Sequence, residues 1–192
     1  MTYTINDKYQ AISKDIVKET SNNPIAIVKS IMSKDYINIH GIEHHFLDGA
    51  AFLVAYKNAG GEIDLTKALT ELGNRSIAMP GAMCGYWGIC GSAASVGASL
   101  AIIHSTNPLS SDSYYSDHME LTSIILKEMS ILGGPRCCKR NAFISLRAGA
   151  KYVKDKYRIN MVADEVICTY SVLNAQCIKS RCPFFKEENK VN

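Results

Sequence analysis

The sequence predicts an all-α, single-domain protein. It reads as a helical bundle of about six to seven helices, with a cysteine- and glycine-rich loop region and an irregular C-terminal segment. Three observations carry this. The 192 residues suit one domain with a real core. Apolar residues recur at helical spacing through most of the chain. Strong breakers at Asn23–Pro24, Gly60–Gly61, Asn107–Pro108 and Gly133-Gly134-Pro135 cut it into helix-length pieces.

The elements follow in order. Asn6 to Thr20 places Tyr9, Ile12, Ile16 and Val17 on one helical stripe. Asn23–Pro24 opens a second helix that runs to about Met32 and buries Ile25, Ile27, Val28 and Ile31. A third starts near Gly41 and stops at Gly60–Gly61. Asp64 caps a fourth that ends near Asn74. Ser76 to Gly91 reads as a loop. A helix of small residues then spans Gly91 to His104, another Ser113 to Ile131, and another Arg136 to Tyr157. Beyond Asn160 the periodicity fades, and Val166 to Tyr170 reads as a short strand or one helical turn. The organisation is N-terminal helices over 1–36, a cysteine-rich helical domain over 37–186 and a frayed tail over 187–192.

Composition excludes several classes. The start lacks the basic and apolar regions of a signal peptide. The least polar stretch, Cys90 to Ile103, is too short and too rich in Ser and Gly to span a bilayer. The expectation is a cytoplasmic protein with no membrane role. The net charge of +3 is too small to indicate nucleic acid. It is unevenly spread, with Arg136 to Arg158 carrying +7 and the remainder −4. That segment is either a solvated helix face or a surface for an anionic cofactor or acidic partner.

Seven cysteines in a chain with no secretion signal argue for metal ligands or redox chemistry rather than a disulfide framework. Cys84 and Cys90 sit in a glycine-rich loop feeding a helix N-terminus, where free N–H groups can meet a thiolate. The helix field favours Cys90 as a thiolate. Gly91, Ala94, Ser95 and Ala98 form a small-residue stripe suited to close packing, either inside the fold or between copies in a homo-oligomer.

Cys137 and Cys138 lie at a predicted helix start beside Arg136, Lys139 and Arg140, all of which lower a thiol pKa. Adjacent helical residues point a quarter-turn or more apart, so one thiol ligates while the other packs or reacts. The cations would offset the charge of a thiolate-rich cofactor. Cys168, Cys177 and Cys182, the last before Pro183, resemble a ligand knot that needs a fourth member, Cys138 or Cys137. Zinc accepts four thiolates as well. His40 and His44, four apart with Glu43 between them, add candidate metal ligands. His45 alone reads as helix decoration.

Five motifs in order carry a family resemblance: His40-Gly-Ile-Glu-His-His45, Tyr56-Lys-Asn-Ala-Gly-Gly61, Pro80-Gly81 with Cys84-Gly-Tyr-Trp-Gly-Ile-Cys90-Gly91, Gly133-Gly-Pro-Arg-Cys-Cys-Lys-Arg140, and Arg181-Cys-Pro-Phe184. Over Ile39 to Phe185 the chain resembles a cysteine-rich domain family of unknown function, DUF5714. The resemblance implies no settled activity. Domains of that family also occur joined to methyltransferase-like or radical-enzyme domains, which implies an accessory role beside a redox or methyltransferase-type partner enzyme. The chain is more distantly similar to the redox proteins named for a C-GCAxxG-C-C signature. That group includes the iron–sulfur part of split-Soret cytochromes. Here Gly91-Ser92-Ala93 stands where Gly-Cys-Ala would be, Cys90 lies two positions upstream of the missing cysteine, and Gly97 comes one residue late.

The leading expectation is an iron–sulfur protein for redox or sulfur handling. Its ligands would come from Cys84, Cys90, Cys137 or Cys138, Cys168, Cys177 and Cys182. Two alternatives stand beside it. One is an enzyme with a reactive thiolate at Cys137 or Cys138 and a histidine base. The other is a structural zinc module that mediates interactions.

Overall fold

The computed structural model describes residues 3–186. Helices account for its architecture, and among the described residues there is no strand. In chain order they are α1 (Ile5–Ile16), α2 (Pro24–Met32), α3 (His44–Asn58), α4 (Leu65–Ile77), α5 (Met83–Tyr86), α6 (Gly91–Ile103), α7 (Ser113–Leu132) and α8 (Cys138–Tyr157). Two single 3-10 turns, Ser171–Leu173 and Lys179–Arg181, follow in the C-terminal segment.

Local chemistry starts these helices. Thr4 and Asp7 form a reciprocal capping box on α1. Asn23, Asp64 and Asp112 each accept main-chain N–H groups at the starts of α2, α4 and α7. The first stripe ends earlier than its periodicity suggests. α1 stops at Ile16, and Val17 turns out to solvent because the chain must fold back toward α2.

α3 is the central post. It is buried on every side from His44 to Tyr56 and packs against α1, α2, α4, α6 and α8. A helix apolar all round belongs inside a domain, and this one carries Phe46, Leu47, Phe52 and Leu53 into a single core cluster. Helices α4, α6 and α8 close around it, and α7 covers α6 and α8.

The small-residue stripe of α6 is used internally. Gly49 of α3 meets Ser95, and its N–H donates to Ser95 Oγ at 2.9 Å. Gly91 lies beneath the His45 ring, and Gly97 lies against Thr122 of α7.

Three sequence expectations are revised. α3 begins at His44 rather than near Gly41, because Gly41 to Glu43 form a turn whose carbonyls accept the N–H groups of His44, His45 and Phe46. The loop over Ser76 to Gly91 starts later, since α4 continues to Ile77, and it contains the short helix α5. Val166 to Tyr170 is neither strand nor helix; its one ladder-like bond runs from Cys168 N–H to the Phe184 carbonyl, 2.7 Å. The expected frayed tail over 187–192 lies outside the described residues. Among the described residues no helix is long and apolar enough to cross a membrane.

Candidate metal centre and adjoining cavity

Four of the seven thiols surround one small cavity of about 20 Å³. Cys137 comes from the start of α8, and Cys168, Cys177 and Cys182 come from the C-terminal segment folded against it. Main-chain N–H groups serve three of the four sulfurs. Cys137 is the N-cap of α8 in extended conformation, and its Sγ accepts the Arg140 N–H at 3.4 Å. Cys168 Sγ accepts the Tyr170 N–H and Cys177 Sγ the Lys179 N–H, each at 3.4 Å.

The turn at Cys177 carries a backbone cost. Lys179 sits at φ +47°, a left-handed conformation that side chains avoid, and this aims its N–H back at the sulfur. Phe143 and Phe184, edge to face at 5.5 Å between centroids, wall the cavity on its apolar side. Arg140, also in the wall, is 5 % exposed and donates to the Gly133 and Pro135 carbonyls at 3.0 Å each. It is therefore a structural tie as well as a cation beside the thiols.

A second, larger cavity of about 350 Å³ opens on the other side of the α8 start. The N-terminal ends of α3, α6 and α8 converge on it. α3 contributes His44, His45 and Asp48, while Cys90 and Cys138 line it from the starts of α6 and α8. Cys84, His40 and the exposed Arg136 complete the part predicted from sequence.

Cys137 borders both cavities, whereas Cys138 faces only the larger one. The neighbouring pair is thus split as helical geometry requires. All seven thiols are free. Among the described residues, no group of three or more His, Cys, Asp or Glu side chains is gathered closely enough to hold a metal ion. The four thiols ring a cavity rather than meet at one point.

The electrostatic expectation for two thiols is overturned. Burial pushes the Cys138 thiol up to about 12, outweighing the helix start and the nearby cations. Burial likewise raises Cys90, despite the Asn141 side-chain N–H donated to its Sγ at 3.2 Å. Neither is the activated thiolate that the sequence suggested. Burial also raises Cys168 and Cys182, each further opposed by the neighbouring thiols. Lys139, only 1 % exposed, is pushed down to about 8 by the same desolvation. Its ammonium lies 3.4 Å from His44 Nε2 and 5.0 Å from the Tyr170 ring centre.

The predicted histidine ligands are already engaged. His40 Nε2 pairs with Asn174 Oδ1 at 3.0 Å, and its Nδ1 accepts the Cys138 main-chain N–H at 3.5 Å. His44 Nδ1 lies 3.5 Å from Asp48 Oδ1, and its Nε2 faces the Asn38 carbonyl at 3.3 Å. Glu43 does not assist either ring, because Lys8 and the Asn38 N–H hold its Oε1 at 2.9 Å each.

Residues missed by sequence reasoning include Asn174, whose side-chain N–H reaches Cys137 Sγ at 3.4 Å while its oxygen holds His40. Nothing in its local sequence announces this bridge. Asp48 and His45 were also undervalued. Asp48 Oδ2 and His45 Nδ1 are buried with no hydrogen-bond partner. A carboxylate in the middle of an otherwise apolar helix was the available signal.

The basic segment is largely consumed. Lys139 and Arg140 are buried, while Arg147, Lys151 and Lys156 pair with Glu128, Asp155 and Asp117. No curated protein and no solved structure matches the chain. A family model does match, over residues 12–185, so the split thiol pair and the knotted C-terminal segment both fall within it, and the chain belongs to the family of unknown function DUF5714.

Proposed function

We propose that this is an iron–sulfur protein for redox or sulfur handling, with its cluster held by Cys137, Cys168, Cys177 and Cys182. One observation carries the reading: four thiols ring one cavity, and three of them accept a main-chain N–H two or three residues further on. Such N–H groups stabilise sulfur ligands once they are deprotonated and tune the centre they hold. Arg140 adds a cation at the wall. A cavity of about 20 Å³ has no room for an organic cofactor.

In a four-iron cluster each thiolate takes its own iron, so four thiols set around a cavity need not meet at one point. Zinc instead draws four sulfurs to about 2.3 Å from one point. The family resemblance gives the context, an accessory to a redox or methyltransferase-type partner enzyme.

The test is iron, zinc and acid-labile sulfide on protein purified without oxygen, with its visible spectrum. Iron and sulfide in near-equal amounts, lost in Cys182→Ser and kept in Cys84→Ser, are expected. Zinc without sulfide, or no metal, refutes the cluster.

A further inference from the structure

The larger cavity is separate from the four-thiol centre and has its own chemistry. Its volume of about 350 Å³ is at the small end of the range for organic-ligand sites and far exceeds what a bare ion needs. Its polar groups are arranged by sign. At the wall, Asp48 is fully buried, its Oδ1 faces His44, and its Oδ2 has no donor. A buried carboxylate oxygen left without a donor is costly, so the site is built to receive one. His45, one turn away on the same face of α3, has an unpartnered Nδ1 and is 9 % exposed.

The opposite sign is supplied by a helix start. Of the three that border the cavity, α3 has its first-turn N–H groups taken by the Gly41, Ile42 and Glu43 carbonyls, and α8 has those of Cys138 and Arg140 taken by His40 Nδ1 and Cys137 Sγ, which leaves the start of the 13-residue α6. Such ends attract anions. No side chain caps α6 with a hydrogen bond, and its first two residues, Gly91 and Ser92, line this space. Arg136, exposed on the cavity wall, adds a full positive charge.

We propose that this cavity binds a small zwitterion of the α-amino-acid type, its ammonium on Asp48 Oδ2 and its carboxylate at the α6 start and Arg136. A plain carboxylic acid would leave Asp48 unpaired, and a plain amine would leave the α6 start and Arg136 unanswered. The inference does not depend on a metal at the four thiols, since Asp48, the α6 start and Arg136 do not line that centre.

Calorimetry and thermal shift on the full chain would use alanine, serine, cysteine and methionine as probes, with ethylamine and propionate as the two half-molecules. At least one amino acid should bind, each half-molecule being weaker by roughly tenfold or more, the worth of one charged hydrogen bond. Asp48→Asn should lose binding by a similar factor. Arg136→Ala, on the surface and harmless to folding, should weaken binding of the amino acid and propionate but not of ethylamine. Absence of binding by all four amino acids overturns the proposal. So does propionate binding as tightly as the amino acids, or an Arg136→Ala variant that binds them unchanged.

Discussion

Replacing Gly49 by alanine tests the packing that sets the two cavities in place. The new methyl would lie 2.4 Å from Ser95 Oγ, 2.6 Å from Ser99 Oγ and 2.9 Å from Leu72 Cδ2. None of these can swing aside freely. All three residues are fully buried, and Ser99 Oγ is tied to the Ser95 carbonyl at 2.9 Å. α3 and α6 must therefore separate or repack. Overpacking of this kind costs about 1–3 kcal/mol. Loss of the Gly49–Ser95 hydrogen bond costs about 1 kcal/mol, and the better helix propensity of alanine returns about the same. At about 2–4 °C per kcal/mol for a chain of this size, the melting temperature should fall by about 6 °C. Gly73→Ala is the matched control. Its methyl would have only Phe46 Cε2 within reach, at 3.9 Å, so propensity alone acts and stability should rise by up to about 1 kcal/mol. Differential scanning calorimetry on both variants decides. If Gly49→Ala melts at or above the parent, the close approach of α3 and α6 is wrong.

Four further outcomes are expected. Lys8→Met should cost about 3–5 kcal/mol in urea unfolding near pH 7, because it strands Glu43, 2 % exposed, without its cation. Burial alone would raise the Glu43 carboxyl, but Lys8 and the Asn38 N–H hold it below its ordinary value. Its contribution is thus present above that ordinary value and lost as pH falls through the lowered one, so wild type and Glu43→Gln should converge in acid urea titrations. In metal-free native protein near pH 8, iodoacetamide should label Cys138 slower than in urea by at least on the order of a hundredfold; mass spectrometry showing Cys138 labelled first would contradict its burial. Phe184→Ala should remove about 3–5 kcal/mol of packing against Phe143 and Arg147, exposing the segment over 159–186 to limited proteolysis and lowering metal content; unchanged digestion would count against this segment being pinned there.

The helical plan was legible because it rests on local signals. Asn23–Pro24, Asp64 and Gly91 mark helix starts by chemistry confined to a few residues. The set of four thiols was legible in type, and the choice of Cys137 or Cys138 as its fourth member was left open. Side-chain direction at the α8 start separates them, and no spacing rule reports that. The thiol acidities were misjudged for a related reason. Helix ends and cations can be read from neighbours in the chain, but the desolvation that outweighs them at Cys138 and Cys90 comes from α3 and the turn before it, far away in sequence. The Cys177 turn was hidden as well, since a lysine rather than a glycine takes the left-handed position at Lys179.

The split of Cys137 and Cys138 makes the first turn of α8 a party wall between two chambers. Each chamber feels the other's charge across one peptide unit. Any occupant that shifts that turn on one side must alter the free energy of the other side, and by linkage the effect is equal in both directions. The two chambers would then titrate as one coupled system, and an affinity measured in either would belong to the pair.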